Sequence, residues 1–416
     1  MAEVEIFFLG LLGLASCASI AADNVALVAL SFFFLFRLVT GRWRPSPPAI
    51  LLVVFFAWNA VSALASPLRS EALKSIPNYW AWSALLTASA IPASRRKLDQ
   101  FAALMSVSAI ASAVVAMLEF FTGADWPQKM PFGDAPDGAI PANAFFSTHL
   151  TYGGVIAIAG FFLAGRAIYG DDKKAIKVLL WVATAACGFG LVASEARTYW
   201  VAAVFAMAVL LCGKGWKRIA AASGILLVAG TLALAIGPAA LRGRALSTFD
   251  LSNASSAERI CLWISGLKMV EERPIFGWGV GTYQEASPPY KAPYAGRIHQ
   301  PDGSTGFQTT CHAHNQYLMV AIHSGLVGLG LFLAFVVLAF RAAWRNPDAG
   351  IKYGTAAALA VFLIGGFFEY NGGDAEVATL IFFLLGLAMP ATPLSRDSTK
   401  TVAASGGEQT AKSAGL

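Results

Sequence analysis

The chain has 416 residues, of which 57% are hydrophobic and 13% charged, with a mean hydropathy of +0.61. A water-soluble domain carries about twice that charge fraction, so the class is an all-α integral membrane protein and an ordinary soluble core is excluded. The net charge of +6 reads as positive residues anchoring loops on the cytoplasmic side, and a nucleic-acid partner is discarded.

In chain order, Met1-Ala2-Glu3-Val4-Glu5 is acidic where a signal peptide needs a positive leader. Residues 6 to 22 therefore read as a retained first span, although Leu14-Ala15-Ser16-Cys17 resembles a lipoprotein cleavage site. Apolar windows long enough to cross a bilayer fall near 5–22, 24–40, 49–65, 76–92, 100–121, 148–168, 176–193, 197–212, 217–236, 315–340, 352–369 and 375–391. Alternate connections are basic: Arg37, Arg42 and Arg44, then Arg95, Arg96 and Lys97, then Arg166, Lys173, Lys174 and Lys177. Lys214, Lys217 and Arg218 continue the series, followed by Arg341, Arg345 and Lys352 and by the tail. The positive-inside rule makes these cytoplasmic, so both termini lie inside and the long polar loop lies outside. The expected organisation is residues 1–236 as spans one to nine, 237–313 as the external loop, 314–392 as spans ten to twelve, and 393–416 as a polar disordered tail.

The external loop has its own pattern. Ser255-Ser256-Ala257-Glu258 fits a capping box with Ser255 as N-cap, and Ile260, Trp263, Ile264, Leu267 and Val270 follow at helical spacing until Pro274. Arg259 then sits near a helix N-terminus, where a cation opposes the helix dipole unless an anion meets it. Phe276-Gly277-Trp278-Gly279-Val280-Gly281 alternates glycine with bulk and suits a tight backbone turn, without the Lys-Ser/Thr of a phosphate loop. Cys261 and Cys311 share this loop and either pair or stay free, and their spacing matches no metal motif.

Several separated residues converge at the outer face. Arg197 opens the eighth span, His314 the tenth and Asp374 the twelfth, and His149 begins the sixth. His312 reads as a supporting loop histidine, Glu369 and Asp374 as solvated residues or as carboxylates that orient a histidine, and His323 as an interhelical hydrogen-bonding group near Gly325 and Gly328. A zinc site at His312-X-His314 is disfavoured, because no further ligand follows at suitable spacing and nearby arginines repel a divalent cation. The expected cofactor set is therefore empty. Arginine would do the work of a metal, since its fork binds phosphate oxygens bidentately and stays charged.

At these residues the chain resembles the bacterial O-antigen ligase family. The similar elements are Ser194-X-X-Arg197; Arg259-X-X-X-Trp263 followed by Arg273-Pro274-Ile275-Phe276-Gly277-Trp278-Gly279; His314-Asn315-X-X-Leu318; and Glu369-X-Asn371-X-X-Asp374. They run over roughly residues 145 to 391, and His323 departs from a position where relatives often carry an acid. The resemblance implies a GT-C-like glycosyltransferase with one large periplasmic loop in the bacterial inner membrane. It also implies transfer of a glycan from undecaprenyl diphosphate to lipid A–core, without metal or nucleotide. An O-antigen polymerase or a protein O-oligosaccharyltransferase would use the same donor with a different acceptor, and a transporter would show internal repeats and ionisable groups nearer the bilayer centre. For the chemistry, Arg197 and Arg259 are expected to neutralise the leaving diphosphate and His314 to take the acceptor's proton, with His149, His312 and Asp374 placed in the substrate site.

The charge alternation makes a direct prediction. Single cysteines at Asn253 and Lys173, labelled in intact membrane vesicles, are expected on opposite sides, and labelling from the same side would overturn the topology.

Overall fold

The computed structural model describes residues 2–92, 94–123, 141–218, 254–298, 304–308 and 311–389. Within them the chain is helical. The elements are α1 (Ala2–Ala15), α2 (Ile20–Val39), α3 (Pro47–Ala65), α4 (Arg69–Ser75), α5 (Ala84–Ser89), α6 (Arg95–Thr122), α7 (His149–Tyr169), α8 (Lys174–Ala193) and α9 (Arg197–Leu211). After the polar loop's α10 (Ala254–Glu272), α11 (Tyr283–Ala286) and α12 (Pro288–Lys291) come α13 (Gln316–Trp344), α14 (Ala349–Gly365) and α15 (Ala375–Leu387).

Among the described residues, seven helices are long and apolar enough to cross a membrane, and α14 and α15 are shorter apolar helices. The protein is a multi-pass membrane protein. The expected ninth span at 217–236 beyond residue 218, the first part of the loop to 253 and the tail after 393 lie outside the described residues.

Helix α7 is the centre of the bundle, with 89% of its apolar window buried. It packs on α14 through small residues: a Cβ on Gly165 would come within 2.3 Å of the Gly354 Cα. Close backbone approach of this kind is how helices gain dispersion contact where water supplies no driving force. At the end of the bundle away from the polar loop, buried charges are paired. Glu5 meets Arg37 at 2.6 Å and Lys97 at 2.9 Å, and Arg166 meets Asp99 at 2.8 Å as well as Asp172. These pairs join α1 to α2 and α6, and α6 to α7.

Three expected spans take a different form. The first ends at Ala15, because Ser16 to Ala18 turn the chain before α2. The window at 76–92 is not one α-helix: α4 passes into a 3-10 stretch, Ile76–Ser83, and then into α5. Pro77 has no N–H to continue an α-ladder, and the 3-10 geometry seats Trp82 in the core, where its indole N–H donates to the Gly372 carbonyl at 2.7 Å. The third departure is a break in α13 at Gly325, whose φ of 68° and ψ of −176° interrupt the helix.

A broken helix in a bilayer leaves backbone groups that need partners. Here the Gly-rich turn after α10 supplies them. The Leu326 N–H donates to the Pro274 carbonyl at 2.7 Å, while the N–H groups of Trp278 and Gly279 donate to the carbonyls of Ile322 and His323 at 2.7 and 2.9 Å. Gly277, Gly279 and Gly281 all have positive φ, which lets the turn follow the break. The last turns of α3 complete the seal: the one Ser62 hydroxyl proton is shared between the Phe276 and His323 carbonyls, Ser66 Oγ donates to that of Trp278, and the Trp58 indole N–H to that of Ser324 at 2.8 Å. The alternation of glycine and bulk thus turns closely around another part of the same chain.

Removing one of these donors has a defined cost. Ser62→Ala removes the hydroxyl proton shared between the Phe276 and His323 carbonyls, the second of which keeps its bond from Gly279 N–H, and is expected to lower stability by about 1 kcal/mol. Thermal unfolding of the purified protein in detergent reads this as a lower midpoint, and an unchanged midpoint would remove the seal from the account.

Candidate functional site

At the other end of the bundle lies a cleft of about 160 Å³ lined by His149, Leu150, Glu195, Arg197, Thr198, Ser255, Glu258, Arg259 and His314. These come from the first turns of α7, α9 and α10 and from the residues leading into α13. Helix N-termini carry unpaired N–H groups and the positive end of the macrodipole, so several meeting at one cleft favour an anion there.

Three approaches to the cleft are strained. Among the described residues, three non-glycines have positive φ: Ala144 (49°), Glu195 (51°) and His314 (47°). They precede α7, α9 and α13 respectively. Such conformations cost about 1–3 kcal/mol each and persist only where surrounding contacts hold them. The holding contacts are present. Glu119 accepts from the N–H groups of Asn143 and Ala144 at 3.0 and 2.8 Å, and Ser194 Oγ accepts from Ala196 N–H. Asn315 caps α13 by accepting from Leu318 N–H at 2.9 Å and donates its own amide to the Phe367 carbonyl at 3.0 Å.

That last contact ties the start of α13 to the turn between α14 and α15, which delivers Glu369 into the site. Glu369 is buried and bridges two functional groups: Arg259 Nη2 donates to Oε1 at 2.5 Å and His314 Nδ1 lies 2.8 Å from Oε2. Burial by itself would raise the Glu369 carboxyl, but Arg259, the His314 hydrogen bond and His312 outweigh it and hold the group below its ordinary range. The ionised carboxylate therefore accepts from the Nδ1–H of His314. The question raised by a cation near the N-terminus of α10 is answered by Glu369.

The structure thus brings together four of the six expected site residues, Arg197, Arg259, His314 and His149, around one cleft. His312 sits behind His314. Its ring centroid is 4.3 Å from that of His314, and its Nδ1 accepts from the His314 N–H at 3.3 Å. Burial, and then the neighbouring His314, push His312 down to about 4, so it is neutral at pH 7. Asp374 caps α15 through the Val377 N–H and accepts from Thr151 Oγ1 at 2.6 Å. The carboxylate that orients the histidine is Glu369 rather than Asp374, since the turn places Glu369 beside α10 and leaves Asp374 at a helix cap.

Two carboxylates of the cleft wall, Glu195 and Glu258, were not among the expected site residues. Glu195 lies in the three-residue connection that precedes Arg197, and that proximity was the available signal. Glu258 was read as half of a capping box, but α10 already includes Ala254, so Ser255 lies within its first turn and both residues face the cleft. Cys261 and Cys311 are free thiols. His323 makes the expected interhelical contacts, with Nδ1 3.2 Å from Tyr79 Oη and 3.4 Å from Tyr370 Oη. Among the described residues, no group of three His, Cys, Asp or Glu side chains is placed to hold a metal ion.

Residues 182–333 match the O-antigen ligase family. The match covers a little over a third of the chain and supports an assignment to that family. It runs from within α8 to the middle of α13, so Arg197, Arg259, His312 and His314 lie inside it, while His149, Glu369 and Asp374 come from flanking elements. A search of curated proteins found no match. The O-antigen ligase match and the apolar helices together support a multi-pass membrane protein.

The burial of His312 generates a pH prediction. A group whose folded-state value lies near 4 against an ordinary 6.5 takes up its proton more readily when unfolded. Its contribution to stability is therefore complete above about pH 6.5 and is lost as pH falls towards 4. His312→Gln is expected to flatten the fall in thermal midpoint across that window, and an identical fall in both proteins would contradict the neutral assignment.

Proposed function

We propose that the protein transfers an O-antigen glycan from undecaprenyl diphosphate to a sugar hydroxyl of lipid A–core, at the periplasmic face of the bacterial inner membrane, by metal-independent inverting displacement. The observation that carries this reading is the Glu369 carboxylate shared by Arg259 and His314, in a cleft that also presents Arg197 and His149. Such a site holds a base and an anion-binding fork within one small volume. The family match supports the glycan and the membrane setting.

In this mechanism the acceptor hydroxyl gives its proton to His314 Nε2 while its oxygen bonds to the anomeric carbon of the donor. The bond from that carbon to the diphosphate oxygen breaks, and the electron pair leaves on the diphosphate. Arg197 and Arg259 stabilise that growing charge, a contribution of several kcal/mol when the donors are already in place and partly shielded from water. Glu369 keeps the imidazole in the correct tautomer and stabilises the imidazolium that forms. Attack from the face opposite the leaving group inverts the anomeric centre.

In a transfer assay with a defined lipid-linked glycan and lipid A–core, His314→Ala is expected to lose about 10²–10⁴-fold in turnover while still binding donor. His312→Ala should lose much less. Arg197→Lys and Arg259→Lys should both be poor, because an ammonium cannot supply the bidentate fork, and chelator should leave the rate unchanged. Equal impairment of the two histidine variants, or full activity of both arginine variants in folded protein, would overturn these roles.

A further inference from the structure

The end of the bundle away from the cleft treats its cations in two ways. Arg37, Arg95, Arg96, Lys97 and Arg166 each meet a carboxylate of the chain. Lys214, Arg218, Arg341, Arg345 and Lys352, just after α9, at the end of α13 and at the start of α14, meet none among the described residues. Asp348, the carboxylate of the connection between α13 and α14, is already engaged: it caps α14 by accepting from Ile351 N–H at 3.0 Å and lies within electrostatic reach of Arg166.

Two of the unpaired cations are half-buried and held in place by rings. Lys214 Nζ lies 4.6 Å from the Tyr169 ring centroid, and Lys352 Nζ lies 4.9 Å from that of Trp344 and 5.2 Å from that of Tyr353. The rings form one ladder: Tyr169 stacks on Tyr353 at 4.4 Å, Tyr353 meets Trp344 at 5.5 Å, and Trp344 stacks on Phe340 at 5.3 Å. Tyr169 is anchored by its hydroxyl, which donates to the Leu210 carbonyl at 2.8 Å. Gly213 lets the turn Cys212–Lys214 lie on the Tyr353 ring, where a Cβ would overlap it. A ring face attracts an ammonium but leaves most of its N–H donors open.

An apolar strip continues from the ladder back along α13. Trp344, Phe340, Val337 and Leu333 follow at spacings of four, three and four residues, hence on one helical face, and the last three are 38%, 55% and 44% exposed. Residues 333–340 carry no charge.

We propose that Lys214 and Lys352, on their ladder of rings, bind the phosphate of an anionic phospholipid, with an acyl chain lying along Phe340, Val337 and Leu333. Phosphate supplies the acceptors that the two ammoniums lack. Aromatic and basic side chains gather at headgroup depth, and the leaflet at this end, cytoplasmic by the alternation of charge, carries anionic lipid. The site lies at the opposite end from the cleft and does not depend on the donor or acceptor used there.

The test strips the full-length protein of lipid in a neutral detergent and follows its thermal midpoint as phosphatidylglycerol is added. The lipid is expected to raise the midpoint, and Lys214→Gln/Lys352→Gln should need about tenfold more of it for half the rise. Lys173→Gln/Lys174→Gln removes the same charge from exposed positions at the same end and should respond as the unmodified protein does. In parallel, phosphatidylglycerol with a photoreactive acyl chain should label residues 333–344 of the unmodified protein, and unlabelled phosphatidylglycerol should displace it better than phosphatidylcholine. A response unchanged in Lys214→Gln/Lys352→Gln, or weakened equally in the control pair, would reduce the cluster to general attraction and overturn the site. An equal rise with phosphatidylcholine or inorganic phosphate would overturn it too. Should Lys214→Gln/Lys352→Gln fail to fold, the labelling decides: a pattern that spares 333–344, or displacement by both lipids alike, sinks the proposal.

Discussion

A backbone group that leaves its helix within a bilayer must find another partner, and the break at Gly325 creates several at once. Their partners come from the Gly-rich turn after α10 and from the outer turns of α3. Through this one constraint α10 is held alongside the first half of α13. The consequences reach the cleft, because α10 carries Arg259 and the start of α13 carries His314. A Cβ at Gly325 would lie 2.0 Å from the Ile275 carbonyl oxygen, so the junction leaves no room for any other residue.

Burying arginines is costly unless they are paired, and the cleft meets that requirement with carboxylates. Glu369 takes one Arg259 N–H and the His314 ring together, so the charge that steadies the cation also sets the histidine tautomer. Glu195 and Glu258 add two further carboxyl groups to the wall. A site balanced in this way can hold its groups in place before any substrate arrives. Preorganisation of this sort is what makes electrostatic stabilisation effective in the transition state.

His312 and His314 show how little separates two roles in sequence. Both lie in one short segment, yet His314 lines the cleft and His312 is turned behind it, where burial keeps it neutral. The positive φ of His314 produces that divergence by turning successive side chains to different sides. Asn315 fixes the turn by bonding both to α13 and to the loop that bears Glu369.

Local signals in the sequence determined a good deal. Hydropathy and charge gave the membrane class, and the helix starts at His149, Arg197 and next to Asp374 follow from the bounds of the apolar windows, which are set by a few neighbouring positions. The residues with the strongest local signature, Arg197, Arg259 and His314, also line the cleft. Only the tertiary structure decided which carboxylate serves the histidine, since Glu369 and Asp374 are five residues apart in one turn and differ by which neighbouring element each reaches. It also decided that Ser255 and Glu258 face a cleft rather than cap a helix, and that α13 breaks. These outcomes depend on contacts between segments far apart in the chain, Arg259 with Glu369 and Ser62 with His323, and no local pattern of residues records such a pairing.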